Sequence, residues 1–304
     1  MPTGGQLRDN GSMLRHRLLS RLAGLGLVLL ALAAARPAAA EPALWVVRDA
    51  DSTIYLFGTI HVLRPQMEWL SPRLEAALGD SSELWLETDV GSGVATAFKL
   101  LRYGMDFSAP LSSKLTPVQR EQLAQAAAAA GMTVRSFEAM RPWLAAMVLS
   151  TVPAIADGYD DKAGADSTLQ RMAKEAGKPL RILETDTQQL RFFADLPPDV
   201  EMAMLADVLA RGPMPVEALD EMAQAWAAGD QSGVENAFKE EEFSPDGVLY
   251  DVLIRRRNLA WADRIKTMMD GAGTSFIAVG AGHLVGPDSV QAALGKLGLN
   301  AERL

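Results

Sequence analysis

Two segments far apart in the chain follow one pattern, and they constrain the fold more than any other feature. Residues 53–57 and 275–279 are apolar runs rich in β-branched and aromatic residues, which is typical of a buried β-strand. Each run continues into Gly-x-x-His, and the histidines are His61 and His283. The chain has three histidines in all. Because two of the three share one local setting, we expect both strands to deliver an imidazole to a common site.

Two carboxylates are predicted to follow strands in the same way. Glu87 and Glu184 each lie in a Leu-Glu-Thr-Asp run directly after a short apolar segment. In open α/β sheets, ligands bind outside the carboxyl ends of the strands. Together with His61 and His283, these carboxylates would make a mixed nitrogen and oxygen metal site. The structural alternative is that each residue is an ordinary hydrogen-bonded or solvated strand end.

A long predicted helix at 248–269 carries a charged residue within its apolar stripe. At about 100° per residue, Arg257 and Asn258 fall on the apolar face. A buried guanidinium without a partner is strongly unfavourable. We therefore expect either a structural salt bridge from Arg257 to Glu87, Glu184 or an aspartate, or a functional role. In the functional role Arg257 holds a substrate carboxylate or stabilises an oxyanion, with Asn258 as a second donor.

Residues 1–40 have the features of a secretory signal peptide. Basic residues precede an uninterrupted small and apolar run at 22–35, and Ala-Ala-Ala at 38–40 offers an A-x-A cleavage site. The run is shorter than the roughly 20 residues that a spanning helix needs. We expect cleavage after Ala40, a periplasmic or secreted protein, and no stable membrane insertion. An uncleaved N-terminal anchor is the alternative.

The composition excludes several classes of function. The chain has 29 Lys and Arg against 38 Asp and Glu, a net charge of −9. Nucleic acids and anionic membrane surfaces need concentrated positive charge, so neither is expected as a partner. The chain has no Cys, which excludes disulfides, thiolate metal sites and a Cys nucleophile. It also lacks the H-E-x-x-H, G-x-S-x-G and Walker motifs.

Signals for strands and helices alternate along residues 41–304 and predict one α/β domain. Strands are predicted at 44–47, 53–57, 83–87, 180–183 and 275–279, with an edge strand at 300–304. Helices are predicted at 72–78, 116–131, 143–156, 166–176, 248–269 and 287–297, with Ser71 as the cap of the first and Ser136 as a candidate cap of the third. Several further helices are predicted between 186 and 241, interrupted by prolines at 197, 198, 213 and 215 and by Gly229. We therefore expect a central mixed β-sheet flanked by helices, with a helical insertion at about 94–156.

These motifs together resemble the TraB/GumN family, which includes the Tiki proteins. The motifs are Gly58-Thr59-Ile60-His61, the strand ending at Glu87, Leu183-Glu184-Thr185, Arg257-Asn258 and the run from Val279 to Pro287. The resemblance implies the mixed α/β fold of erythromycin esterase-like and ChaN-like haem-uptake proteins. It also implies a divalent-metal-dependent protease with Mn or Co as the favoured ion. His61, Glu87 and His283 match the family motif by motif, and Glu184 and Arg257 match family positions.

The first hypothesis is a secreted metal-dependent hydrolase that acts on a peptide or protein substrate. His61, Glu87 and His283 would hold one Mn, Co, Fe or Zn ion, and mixed nitrogen and oxygen ligands do not choose among these metals. The ion would acidify its bound water, which attacks the amide carbonyl. Arg257 would stabilise the oxyanion, and Glu184 would be a fourth ligand or the general base.

Two other functions fit the same pattern. The first is a binding protein without turnover, which captures a peptide or small molecule in the same crevice. The second is a purely structural role in the cell envelope. Metal-dependent cleavage distinguishes the enzyme from both, since fold alone does not transfer a substrate.

Overall fold

A six-stranded mixed sheet organises the computed structural model. Its strands are β1 (Leu44–Arg48), β2 (Ser52–Thr59), β3 (Glu83–Leu86), β4 (Leu180–Ile182), β5 (Gly273–Gly280) and β6 (Ala301–Arg303). Their order across the sheet is β4-β3-β5-β2-β1-β6. The four strands β4, β3, β5 and β2 are parallel, whereas β1 pairs antiparallel with β2 and β6. The predicted strands and the mixed sheet are therefore confirmed.

The register places the ends of the parallel strands at one edge. Thr59 at the end of β2 pairs with Gly280 at the end of β5, and Leu86 at the end of β3 pairs with Ala278. The central strand β5 is buried on both faces, which explains its continuous apolar run. The loops that follow β2, β3, β4 and β5 consequently leave the sheet side by side.

The structure describes Met1 and residues 40–88, 94–212, 214–237 and 247–304. The predicted signal segment and the end of the predicted helical run beyond residue 237 thus lie outside the described residues, apart from Met1 and Ala40. Residues 40–304 form one compact unit. Within the part of the chain that the structure describes, no helix has the length and apolar character needed to cross a membrane.

Helices cover both faces of the sheet. In chain order they are α1 (Pro72–Asp80), α2 (Val94–Gly104), α3 (Pro117–Ala129), α4 (Pro142–Ala156), α5 (Ala165–Glu175), α6 (Asp186–Ala194), α7 (Pro198–Arg211), α8 (Val216–Ala227), α9 (Gln231–Ala237), α10 (Val248–Tyr250), α11 (Arg256–Met269) and α12 (Val290–Lys296). A π-helical segment, Asp251–Arg255, joins α10 to α11. The long helix predicted at 248–269 is therefore present, with one wider turn inside it.

Local capping explains most of the helix boundaries. The Ser71 side chain accepts a hydrogen bond from the third residue of α1, and Thr116 forms a capping box with Gln119 at the start of α3. The predicted cap at Ser136 is wrong. Ser136 ends a short 3-10 turn, and Arg141 is the N-cap of α4 because Pro142 occupies the first helical position.

The helical insertion has its own core. The apolar side chains of α3 and α4, such as Leu123 and Leu149, pack against Leu205 and Leu209 of α7. The predicted range 94–156 holds only helices and short 3-10 turns among its described elements, as expected. Its core nevertheless needs α7, which lies outside that range, because the insertion cannot bury its apolar faces by itself.

Candidate active site at the carboxyl edge of the sheet

Glu87 lies directly after β3 and receives hydrogen bonds from three directions. Its Oε1 accepts from the Gly280 backbone N–H at 2.6 Å, and its Oε2 accepts from Arg257 Nη2 at 2.6 Å and from Gln189 Nε2 at 3.1 Å. Burial raises the pKa of Glu87, but charge interactions with His283, whose ring is protonated at such low pH, and with Arg257 outweigh it and lower the pKa to about 2. Glu87 is therefore an ionised carboxylate in a fixed orientation.

Arg257 engages all three nitrogens of its guanidinium. Nε donates to both oxygens of Glu184 at 3.1 Å, and Nη2 donates to Glu87 and lies 3.0 Å from Glu184 Oε2. Nη1 donates to the Leu253 carbonyl at 3.1 Å and to His283 Nε2 at 3.0 Å. The salt bridge expected as the structural alternative is thus observed, with both carboxylates. A substrate oxygen could contact Arg257 only if one of these bonds opened.

Glu184 contacts Arg257 and is not hydrogen-bonded to His61 or His283. It follows β4, and burial raises its pKa while the hydrogen bonds from Arg257 oppose this shift. It lines a separate cavity of about 310 Å³ together with Arg257 and Trp261. Glu184 therefore holds the guanidinium from the side away from the cavity that contains His61.

His283 is a neutral ring of one defined tautomer. It lies in the 3-10 turn Ala281–Leu284 that follows β5, and burial lowers its pKa to about 3. Because a guanidinium only donates, Nε2 must accept from Arg257, and Nδ1–H donates to Asn258 Oδ1 at 2.6 Å. Asn258 Nδ2 donates to the backbone carbonyls of His283 at 3.3 Å and Asp288 at 2.7 Å, which orients its oxygen towards the ring.

His61 is held by a residue that the sequence patterns did not identify. Its Nδ1 lies 2.8 Å from Asp166 Oδ2, and Asp166 Oδ1 accepts from the Thr59 hydroxyl at 2.7 Å. Desolvation lowers the pKa of His61, but the hydrogen bond and charge of Asp166 outweigh it and raise the pKa above its ordinary value. The side chain is 67% exposed, so solvent screens this attraction. Nε2 is the ring nitrogen that remains for the cavity.

The three predicted metal ligands meet around Gly280. A Cβ atom at this position would lie 3.2 Å from Glu87 Oε1, 3.6 Å from His283 Cδ2 and 3.8 Å from His61 Nε2. His283 Nε2 is 3.6 Å from Glu87 Oε1. Among the residues that the structure describes, no group of three His, Asp or Glu side chains has the spacing to hold one metal ion. The donor types suit a divalent ion, and the lone pair of His283 is occupied by Arg257.

These residues form one end of a cavity of about 540 Å³, which we call the active-site cavity. His61, Glu87, Arg257 and His283 line its polar end. The structure therefore brings together both histidines and Glu87 from the strand-end pattern, and Arg257 from the apolar stripe of the long helix. Asn258 and Glu184 stand behind this polar end and contact His283 and Arg257 respectively.

Asp166 and Gln189 belong to the candidate site, but the sequence patterns did not identify them. Asp166 looked like an acidic residue in the first turn of a helix, which is common for electrostatic reasons. A usable signal was Gly164 just before it, since a Cβ atom there would lie 2.1 Å from the His61 carbonyl oxygen. This close approach allows the start of α5 to reach the loop after β2. Gln189, on α6, had no distinguishing pattern.

The fold and site define an α/β protein with a buried His, Glu and Arg network at the carboxyl ends of its parallel strands. The chain belongs to the TraB/PrgY/gumN family, whose sequence profile matches residues 43–303. The resemblance drawn from the motifs is thus confirmed.

Three relatives illustrate the similarity. The chain is 29% identical to the uncharacterized protein YbaP of Escherichia coli (strain K12) over 249 residues, which cover 81% of this chain and 89% of YbaP. The same values hold for the uncharacterized protein YbaP of Shigella flexneri. An uncharacterized protein of Treponema pallidum (strain Nichols) is 19% identical over 264 residues, covering 82% of this chain and 79% of that protein. No solved structure is significantly similar to the chain.

Proposed function

We propose that this protein is a divalent-metal-dependent hydrolase that acts on a peptide or protein substrate. The observation that carries the proposal is the matched orientation of the two histidines. In both rings Nδ1 is held by a side-chain oxygen, from Asp166 for His61 and from Asn258 for His283. Each Nε2 is left as the ring nitrogen on the side of Glu87. Metal-binding histidines in proteins are commonly oriented through their other ring nitrogen in this way.

His61, Glu87 and His283 would hold the ion, which could be Mn, Co, Fe or Zn because these ligands do not choose among the four. When bound, such an ion supplies a Lewis acid and lowers the pKa of a water molecule. Arg257 Nη1 must release His283 Nε2 for this to occur, since one lone pair cannot serve both partners. The contacts of Arg257 with Glu87 and Glu184 do not involve that nitrogen.

The remaining polar residues support the proposal as positioning groups. Asp166 and Asn258 keep each imidazole in the tautomer that presents Nε2. Arg257 keeps Glu87 ionised and oriented, and Glu184 keeps Arg257 in place. We assign these tasks to Arg257, Asn258 and Glu184 in preference to the direct oxyanion and proton-transfer roles expected from the sequence, because their donors and acceptors are already engaged.

The site of action that we propose is the periplasm or the extracellular space. This part of the proposal rests on the basic, apolar and small-residue pattern of residues 1–40. The acidic composition supports a peptide or protein partner in preference to a nucleic acid.

A second candidate is capture of a peptide or small molecule without turnover. The observation that favours it is the contact between Arg257 Nη1 and His283 Nε2. With this contact in place, the lone pair of His283 Nε2 is occupied, and both Glu87 and Glu184 are paired with Arg257 without any ion. The same cavity would then bind a ligand and perform no hydrolysis.

Metal analysis and peptide cleavage together test the two candidates. For the hydrolase we expect about one divalent ion per purified chain, its loss in His61→Ala and His283→Ala, and cleavage of a peptide library that stops with chelator or in Glu87→Gln. Glu75→Gln on the exposed face of α1 is the matched control. Wild-type protein without metal, and without a gain in thermal stability on adding Mn, Co or Zn, contradicts the hydrolase. Tight peptide binding without products supports capture.

A further inference from the structure

The active-site cavity has a second part that the proposed hydrolysis does not use. We call it the apolar half, and it is formed by side chains from five helical segments: Met147 of α4, Phe192 and Phe193 of α6, Met222 of α8, Val234 of α9, and Leu253 and Ile254 of the π-helical segment. None of these residues comes from the sheet. The described lining of the apolar half carries no charged or amide side chain.

The polar side chains of the cavity lining are already paired with other polar side chains. Gln189 donates to Glu87, and the Thr59 hydroxyl donates to Asp166. A charged or amide group entering the apolar half would lose its hydration and find no side-chain partner there, which is costly. An apolar group would instead gain from leaving water. The lining therefore selects for apolar ligands.

The walls of the apolar half differ in stiffness. Phe193 stacks on Trp143 with ring centroids 5.5 Å apart, and Phe192 lies beside the guanidinium of Arg257 at 5.4 Å. These aromatic rings form a defined surface. Met147 and Met222 contribute unbranched, polarizable side chains that adapt to ligands of different shape. This combination suits large aromatic or aliphatic side chains without choosing strongly among Phe, Leu and Met.

We propose that the apolar half is a specificity pocket for a bulky apolar side chain of the peptide, next to the bond presented to His61 and Glu87. A volume of about 540 Å³ for the whole cavity leaves room for such a side chain beside the reacting group. The inference rests on the proposed function, because it takes the bound peptide to be the substrate. The binding preference itself can be measured without any turnover.

The test uses two fluorescein-labelled octapeptides that are identical except at the two central positions, which are Phe-Leu in one and Ser-Gln in the other. Fluorescence anisotropy measures their affinity for the full protein. We expect the Phe-Leu peptide to bind about 10- to 100-fold more tightly. Met222→Lys should remove the preference, and Met222→Leu should keep it. Val118→Lys, at a 67% exposed position on α3, is the matched control and should behave as wild type.

Met147→Lys provides a second variant, because this side chain is 37% exposed and tolerates a charge more readily than a fully buried one. Circular dichroism establishes that each variant is folded. Equal affinity of the two peptides for the wild type overturns the inference, as does a preference that survives both lysine substitutions in folded protein.

The same peptides separate this inference from the proposed hydrolysis. If the Phe-Leu peptide binds preferentially but is not cleaved with or without Mn, the pocket is supported and the hydrolysis fails. If both peptides are cleaved at equal rates, the hydrolysis is supported and the pocket fails.

Discussion

The two ends of the active-site cavity are built in different ways. At the polar end, Glu87 and His283 follow parallel strands and are held by short, directional hydrogen bonds with Arg257, Asn258 and the Gly280 backbone. In the apolar half, helices contribute Met, Phe, Val, Leu and Ile side chains whose contacts have no required direction. Changes at the polar end should therefore cause large losses of stability, metal affinity or peptide cleavage. Changes in the apolar half should alter which peptide is preferred, so we expect the proposed chemistry and the proposed ligand choice to be separable.

The largest effect is expected from removing the charge that joins the polar end. Arg257→Gln leaves Glu87 and Glu184 buried without their shared cation, and breaking a buried ion pair costs about 3–5 kcal/mol of unfolding free energy. Arg256→Gln is the matched control. The Arg256 side chain is 71% exposed and pairs with Asp251, so its loss should cost at most about 1 kcal/mol of unfolding free energy. Urea denaturation measures the unfolding free energy of both variants. Equal losses would contradict the idea that the buried network at the polar end depends on Arg257.

A smaller displacement at the same end should impair function more than stability. In Gly280→Ala the new Cβ lies 3.2 Å from Glu87 Oε1, so the carboxylate must move by a few tenths of an ångström. We expect metal affinity or peptide cleavage to fall about 10- to 100-fold, because small misplacements at a reacting centre are costly. Gly79→Ala meets nothing within 4 Å and should leave both measurements unchanged. Equal metal affinity and cleavage in the two variants would show that the close approach at Gly280 does not matter for the site.

The two histidines should oppose each other in the dependence of stability on pH. His283 has a lowered pKa of about 3, so its contribution is lost as pH falls from about 6.5, where the unfolded ring takes up a proton. His61 has a raised pKa, so its contribution is complete below about 6.5 and is lost as pH rises above that value.

Because the two histidines act in opposite directions, the pH dependence of stability due to His283 should be larger once His61 is removed. With chelator present, we expect the unfolding free energy of His61→Ala to fall by about 1 kcal/mol between pH 7 and 5.5, with a smaller fall in the wild type. Glu87 adds a further loss only below its unfolded pKa of 4.5, because its folded pKa is about 2. Chemical denaturation across this pH range provides the measurement. A steeper fall in the wild type than in His61→Ala would show that the assignment is wrong.

The smallest effect is expected in the apolar half. Met222→Leu conserves volume and apolar character, so the unfolding free energy should change by less than about 1.5 kcal/mol. The affinity for an apolar peptide should change only a few-fold. Thermal unfolding and anisotropy check both values. A loss of unfolding free energy as large as that of Arg257→Gln would show that the apolar half tolerates substitution no better than the polar end does.

Much of the site followed from local patterns. Apolar runs that end in Gly-x-x-His located β2 and β5, and the stripe on the long helix identified Arg257 as a buried charge that needs a partner. The wrong cap at Ser136 has a local cause as well, since Pro142 at the first helical position sets the start of α4. Periodicity and motifs do not identify Asp166 or Gln189, and the nearby Gly164 shows its meaning for Asp166 only once the loop after β2 is placed against it.

The sequence by itself determined which segments are strands, where they end, and which four ionisable residues follow them. These features depend on backbone preferences and side-chain periodicity within a few residues. Only the tertiary structure decided the strand order, which inserts β5 between β3 and β2 and so brings Gly280 to Glu87 across 193 residues of chain. It also joined His61 to Asp166 across 105 residues. Such contacts depend on how distant elements bury their apolar faces together, and no local pattern encodes that choice.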